Sequence, residues 1–87
     1  MWVMTPNEEI VNIARARRVV LQIEPDGYTA TVIACFDDGE CALLARVSQP
    51  GDQDYSISTA RAYYRSIQQS LRNGEAFCNL CSHGQAT

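Results

Sequence analysis

The chain has 87 residues, of which 46% are hydrophobic and 20% are charged. This length and composition are typical of one small folded domain and exclude a disordered chain. A net charge of −3 argues against a general nucleic-acid binder. The longest apolar run, residues 32–36, is too short to span a membrane, and no signal peptide is visible. We therefore expect a cytoplasmic protein with no membrane contact.

The residue types that are missing exclude several kinds of chemistry. There is no lysine, and the single histidine, His83, is among the last few residues of the sequence. A phosphate-loop lysine and Schiff-base chemistry are therefore excluded, as is a pair of histidines on one metal ion. A Ser-His-Asp triad would depend on the last residues of the sequence. We expect a protein without enzymatic activity.

The first predicted element is an N-terminal helix. Thr5 suits the N-cap position, Pro6 the first helical position, and Glu8 completes a capping box. Ile10, Val11 and other apolar residues then recur at helical spacing. The pattern predicts a short amphipathic helix that ends at about residue 16.

Three strands follow, over residues 18–24, 28–36 and 40–47, because each segment is rich in β-branched and apolar residues. The first two are separated by Pro25-Asp26-Gly27 and the last two by Asp37-Asp38-Gly39. Both triplets are typical of three-residue hairpin loops, in which glycine takes the left-handed conformation. The sequence therefore predicts an antiparallel β-meander.

A second helix is predicted after the polar loop 48–54. Ser56 or Ser58 suits its N-cap, and Asn73-Gly74 is a strong stop signal. The predicted fold is therefore α+β: a three-stranded antiparallel β-meander with an N-terminal and a C-terminal helix, in the order α-β-β-β-α. We expect a single domain over residues 1–74 and a tail over residues 75–87.

The expected hairpin registers divide the meander into two faces. Three-residue loops would place Ile23 opposite Thr29 and Cys35 opposite Cys41, so that one uncharged face packs under the helices. The other face has an apolar centre with a polar rim, which is the composition of a buried contact. A partner protein or a second copy in a homodimer would cover it, unless one helix covers each face. The partner-binding residues predicted on this face are Val20, Val32, Phe36 and Leu44.

The second helix carries three arginines and no acidic residue between residues 55 and 74. Arg61, Arg65 and Arg72 fall close together on a helical wheel. They are predicted either to form a ridge that binds an acidic partner or phosphate, or to be a solvated helix face. Weak RNA or anion binding through this ridge is an alternative function, although nucleic acid is not expected as the main partner.

The cysteines suggest a second alternative. Cys78 and Cys81 form a Cys-x-x-Cys pair, and with His83 they would supply three ligands to a zinc ion. Cys35 and Cys41 are expected to be packed as small apolar residues, and a disulfide between them is geometrically conceivable. The sequence therefore leaves a zinc-stabilised binding module as an alternative to a protein without a cofactor.

The leading hypothesis is a small, non-enzymatic interaction protein that binds a macromolecular partner and acts as an inhibitor or regulator. It follows from the lack of a convincing active site and from the predicted apolar face. Small proteins of acidic balance occur among phage and mobile-element inhibitors of host systems, including anti-CRISPR-like proteins. That analogy concerns size and composition alone.

Overall fold

The computed structural model describes residues 1–81, which form six strands and one helix. The elements in chain order are β1 (Trp2–Met4), β2 (Ile10–Asn12), β3 (Ala16–Ile23), β4 (Thr29–Phe36), β5 (Cys41–Ser48), α1 (Gln53–Arg72) and β6 (Phe77–Asn79). They build two three-stranded sheets, a small sheet of three-residue strands in the order β2-β1-β6 and a large sheet of eight-residue strands in the order β3-β4-β5. No helix within residues 1–81 has the length and apolarity needed to cross a membrane.

The predicted α-β-β-β-α order is wrong at its N-terminal element, because β1 and β2 form an antiparallel hairpin where a helix was expected. The same residues that suggested a helix cap close this hairpin. The Thr5 hydroxyl accepts a hydrogen bond from the Glu9 amide at 3.1 Å, and the Thr5 amide donates to the Glu9 carbonyl at 2.8 Å. Glu8 adopts a φ of 66°, which no helix contains. A threonine side chain can satisfy backbone amides in a turn as well as in a cap.

The three-stranded meander is confirmed, but its first hairpin has a different register. Ile23 pairs with Ala30 instead of Thr29. The loop holds four residues because the Asp26 carboxylate accepts hydrogen bonds from the amides of Tyr28 and Thr29 and from the Thr29 hydroxyl. A slip of one residue moves every side chain of a strand to the opposite face. Residues of β3 and β4 that were predicted to share a face therefore lie on opposite faces of the sheet.

The second hairpin keeps the predicted pairing of Cys35 with Cys41, and a β-bulge then interrupts β5. Val32 pairs with Ala45 and Ile33 with Leu43, so Leu44 is the extra residue. Leu44 and Ala45 are both buried, which is possible because the bulge breaks the alternation of the strand. The bulge lets β5 contribute two neighbouring residues to the core.

The helix α1 packs on the large sheet and ends where the sequence predicts. Its N-cap is Asp52, whose side chain accepts a hydrogen bond from the Tyr55 amide. At the other end the Glu75 amide donates to the Ser70 carbonyl, and Gly74 has a φ of 69°. That arrangement is a glycine-terminated helix C-cap. The core lies between α1 and both sheets and includes Val3, Ile13, Ala30, Val32, Ala34, Leu44, Ala45, Ala60, Tyr63, Ile67, Cys78 and Leu80.

The segment after Gly74 contributes a strand to the small sheet. β6 pairs in parallel with β1, at the opposite end of the chain. Cys78 and Leu80 are buried, and the Cys81 thiol donates a hydrogen bond to the Thr5 carbonyl at 2.8 Å. Residues 75–81, which the sequence suggested as the start of a tail, are thus packed against the rest of the fold. The predicted domain boundary at residue 74 itself stays a prediction.

Candidate binding surfaces

The small sheet presents an exposed apolar surface. On its outer face Trp2 pairs with Phe77, and Met4 pairs with Ile10. Trp2 is 48% exposed, Phe77 43% and Ile10 56%, whereas Met4 is partly exposed. We call these four residues the aromatic patch. Tryptophan, phenylalanine and methionine are enriched in the centres of protein interfaces, and tryptophan is among the commonest binding hot spots.

The inner face of the same sheet holds the aromatic patch in place. Val3 and Cys78 are buried in the core, and Val11 packs against it. The Trp2 amide donates to the Ala76 carbonyl at 2.9 Å, and the Leu80 amide donates to the Met4 carbonyl at 2.9 Å. Because successive strand residues point to opposite faces, burying Val3 and Cys78 forces Trp2, Met4 and Phe77 outward. The patch is therefore carried by paired backbone rather than by a loose segment.

The charges closest in sequence to the aromatic patch are mostly negative. Glu8 and Glu9 lie in the β1–β2 loop, at the Met4 end of the sheet, and Glu75 precedes β6 at the Trp2 end. All three are exposed, and the nearest arginines along the chain, Arg15 and Arg72, are each five residues from the patch. The patch thus has an apolar centre with predominantly acidic ends. Such a surface complements an apolar surface with basic edges.

The residues predicted to bind a partner on the meander do not form one surface. Val32 and Leu44 are completely buried, and Phe36 packs against the core. Val20 pairs with Ile33, which pairs with Leu43, on the opposite face of the sheet. The face that carries Val32 and Leu44 packs in the core with α1, and the four-residue first loop and the bulge at Leu44 add residues of β3 and Ala45 to that face. Val32 and Leu44 therefore have no surface to offer a partner.

The arginines of α1 are only partly brought together. Arg65 and Arg72 line a hollow of about 280 Å³ with Gln68, Gln69 and Asn73. Arg61 is exposed one helical turn before Arg65 and does not line this hollow. Two guanidinium groups on a solvated helix face are a modest anion site, since they offer few contacts compared with nucleic-acid-binding surfaces.

Two of the three predicted zinc ligands lie within the residues that the structure describes. Cys78 faces the core, whereas the Cys81 thiol binds the Thr5 carbonyl. His83 lies outside the described residues. Within residues 1–81 no group of three or more histidine, cysteine or acidic side chains is arranged to hold a metal ion. Zinc binding therefore remains an expectation from the sequence alone.

The other two cysteines meet on the outer face of the large sheet. The Cys41 thiol donates a hydrogen bond to the Cys35 sulfur, with 3.2 Å between the two Sγ atoms. This hydrogen bond raises the pKa of the Cys41 thiol, and partial desolvation acts in the same direction. Beside the two thiols lies a groove of about 530 Å³, lined also by Arg17, Arg18, Phe36 and Gly39. Sequence reasoning treated these cysteines as core residues.

A third hollow lies between α1 and the start of β3. Its volume is about 480 Å³, and Met1, Ile13, Tyr64 and Leu71 supply much of its apolar lining. Arg17 and Arg18 also line it, but no carboxylate, thiol or imidazole does among the residues described. The hollow can hold apolar groups, and its lining offers no obvious acid–base or nucleophilic pair.

Sequence reasoning missed the aromatic patch because the signal is distributed over the two ends of the chain. Trp2 and Phe77 become neighbours only when β1 and β6 pair. One local signal was available: Trp2, Met4, Ile10 and Asn12 lie at strand spacing around a turn, as in a hairpin with one apolar outer face. The apparent helix cap at Thr5 concealed it.

No family model matches this chain, and no curated protein or solved structure matches it either. Its function is therefore inferred from the surfaces described above.

Proposed function

We propose that this protein is a small, non-enzymatic binding protein that contacts another protein through the aromatic patch. The observation that carries the proposal is the pairing of Trp2 with Phe77 on an outward sheet face, beside Met4 and Ile10. These large apolar side chains are exposed although their strands are anchored in the core. Contiguous exposed apolar residues on a rigid element are typical of interaction surfaces.

Charge favours a protein partner over nucleic acid. Aromatic side chains on a sheet can also stack on unpaired bases, but such surfaces carry basic groups that follow the phosphate backbone. Here Glu8, Glu9 and Glu75 lie at the ends of the sheet. Phosphates would be repelled by these carboxylates, whereas lysines and arginines around an apolar protein surface would be attracted.

Charge also favours a different protein over a second copy. The whole chain has a net charge of −3, so two copies repel each other weakly, and a basic partner is attracted over the same distance. The partner we propose therefore has an apolar contact surface with lysine or arginine at its edges. An inhibitory or regulatory role would follow if this contact blocks the partner's own binding site.

A comparison of three proteins tests this proposal: the parent chain, the W2S/F77S double variant, and the control variant Y55S. Tyr55 is 52% exposed on α1, far from β1 in the chain, so its loss controls for the removal of an exposed aromatic. Each protein is immobilised and exposed to a cell extract of the organism that produces it, and the retained proteins are quantified by mass spectrometry. We expect one protein to be retained by the parent and Y55S and lost by W2S/F77S.

Circular dichroism and thermal unfolding establish that all three proteins are folded to the same extent. Equal retention by the parent and W2S/F77S would contradict the proposal. So would retention that nuclease treatment abolishes, because the contact would then be with nucleic acid. A contact with a second copy would appear instead as a parent dimer in sedimentation that W2S/F77S dissociates.

A further inference from the structure

The two thiols on the outer face of the large sheet are placed for a reaction with each other. Cys35 and Cys41 are paired residues of adjacent antiparallel strands. In the neighbouring residue pair of this ladder, the Phe36 amide donates a hydrogen bond to the Glu40 carbonyl at 2.9 Å. Since the two kinds of pair alternate along a ladder, Cys35 and Cys41 occupy a non-hydrogen-bonded pair, where Cα atoms approach most closely. That separation is within the range that disulfides span.

The pair is also accessible. Cys41 is exposed and Cys35 is partly exposed. This distinguishes them from Cys78, which is buried. The groove beside the two sulfurs has a volume of about 530 Å³, which is within the range of small-molecule sites.

Two arginines give this groove its chemical preference. Arg18 pairs with Cys35 across β3 and β4, and Arg17 lies at the bulge that precedes it. Both line the groove with the thiols. Arg17 also forms an exposed ion pair with Asp37, with 3.1 Å between its Nε and an Asp37 oxygen. Guanidinium groups bind carboxylates in a bidentate manner, so a small ligand with carboxylates beside a sulfur atom suits the groove.

We propose that Cys35 and Cys41 form a dithiol redox site, which a small disulfide bearing carboxylates oxidises to an intramolecular disulfide. In the first step the Cys35 thiolate attacks one sulfur of the small disulfide. A bond forms between these two sulfurs, the oxidant's own S–S bond breaks, and one half leaves as a thiolate that takes up a proton. Arg17 and Arg18 hold the carboxylates of the small disulfide during this step.

In the second step the Cys41 sulfur attacks the Cys35 sulfur, loses its proton and releases the other half as a second thiol. Overall the two cysteines lose two protons and two electrons, and the small disulfide gains both. Cys41 suits the second role because its hydrogen bond to Cys35 raises its pKa and keeps it protonated at first. Once Cys35 is bound to the oxidant, the free thiol that caused this effect is gone.

The sequence offers a convenient readout. Trypsin cuts after arginine, and no arginine lies between Arg18 and Arg46, so both cysteines fall in the peptide 19–46. Cys78 and Cys81 fall in the peptide 73–87, which serves as an internal control. The full chain is incubated with oxidised glutathione as the probe, remaining thiols are alkylated, and both peptides are weighed. We expect the peptide 19–46 to lose two hydrogens before the peptide 73–87 reacts.

Variants test each role. In C41S the reaction should stop with one glutathione on Cys35. In R17Q/R18Q, in which trypsin releases both cysteines in the peptide 16–46 instead, we expect oxidation by glutathione disulfide to slow by about tenfold, the loss of roughly one charge-assisted contact. Its reaction with bis(2-hydroxyethyl) disulfide, which has no carboxylate, should slow much less, since only the effect of Arg18 on the Cys41 pKa is then lost. R61Q/R65Q, on α1, is the matched control and should react like the parent.

Three results would overturn the proposal. One is a peptide 19–46 that stays reduced or carries two separate glutathiones. Another is earlier oxidation of the peptide 73–87. Equal rates of the parent and R17Q/R18Q with glutathione disulfide would overturn the assignment of a carboxylate-bearing oxidant.

Discussion

Asp26 shows how one side chain determines the register of a hairpin. Its carboxylate accepts three hydrogen bonds, two from backbone amides and one from the Thr29 hydroxyl. The hydroxyl of Thr29 also lies 2.8 Å from the Ser48 hydroxyl on β5. These contacts link the first loop to β4 and β5 of the large sheet. The turn pattern Pro25-Asp26-Gly27 could not predict the contact with Ser48, because Ser48 is distant in sequence.

The first prediction concerns Asp26. The hydrogen bond from the Thr29 hydroxyl is the largest cause that lowers the pKa of this carboxyl in the folded chain. A lowered pKa means that the stabilisation is present above the pKa of the unfolded chain and is lost as the pH falls through the folded value. D26A should therefore be less stable than the parent near neutral pH. The difference should shrink in acid, as measured by urea unfolding at several pH values.

The matched control for this prediction is D37A, which removes another loop carboxylate. Asp37 forms one exposed ion pair with Arg17, and exposed pairs contribute little to stability. If the difference in unfolding free energy between the parent and D26A stayed constant down to acid pH, the ionised carboxylate would not be the stabilising group.

The second prediction concerns Cys41. Its pKa is raised first by the hydrogen bond with Cys35, and Asp38 adds to this, whereas Arg18 opposes it. The thiolate is the form that reacts with iodoacetamide. Alkylation of Cys41 in the folded chain should therefore rise at a higher pH than in the urea-unfolded chain. C35A should move the midpoint to lower pH, and D38N should move it in the same direction but less. An unchanged midpoint in C35A would contradict this account.

At the scale of the elements, β6 is the strand that joins the two ends of the chain. It pairs with β1 along its length, and the residue that follows it, Leu80, has no exposed surface. Leu80 also belongs to the core shared by α1 and both sheets. The small sheet has only three strands of three residues each, so its stability depends on this packing.

The third prediction follows from this packing. L80A should lower the free energy of unfolding by about 2–5 kcal/mol, which is the range for truncating a buried leucine. Leu71 offers a matched control because it is 50% exposed on α1, and L71A should cost less than about 1 kcal/mol. Urea unfolding of both variants measures the difference. Equal costs would contradict the docking of the segment after β6.

The elements differ in how well the sequence could predict them. The meander and the end of α1 were predicted correctly because their signals are local, in Asp37-Asp38-Gly39 and Asn73-Gly74. The N-terminal hairpin was not, because the Thr5 hydroxyl can accept a backbone hydrogen bond in a helix cap as well as in a turn. Only the pairing of β1 with β6 decides between these outcomes, and it joins residues that are far apart in the chain.

The predicted partner face of the meander is not a surface, because its centre is buried in the core beside α1. One additional loop residue at Tyr28 brings Leu21 and Ile23 of β3 onto the face of Val32, and the bulge at Leu44 adds Ala45 to it. Turn type determines register, and side chains alternate with a period of two. Composition could indicate that the strands are apolar, but it could not indicate which residues face the helix.

The fourth prediction tests the corrected faces. V32D should unfold the protein, because it places an unpaired carboxylate in a fully buried position. L43D is the control: Leu43 is 48% exposed on the opposite face, so this variant should remain folded. Circular dichroism and thermal unfolding distinguish the two. A folded V32D with native stability would restore the original assignment of faces.

At the scale of the whole molecule, the distribution of surfaces is asymmetric. The small sheet carries the aromatic patch with acidic ends, while α1 carries Arg61, Arg65 and Arg72. The thiol pair lies on the outer face of the other sheet. The acidic ends of the aromatic patch would steer a basic partner toward the small sheet, and the arginines on α1 would disfavour its docking there.

Site-specific photo-crosslinking tests the central claim most directly. A benzophenone amino acid is placed at Phe77 or, as the control, at Tyr55, and the chain is irradiated inside its native host. We predict that position 77 crosslinks to one host protein, that position 55 does not, and that W2S removes the crosslink from position 77. Equal crosslinks at both positions, or crosslinks to nucleic acid alone, would contradict a protein-binding role for the aromatic patch.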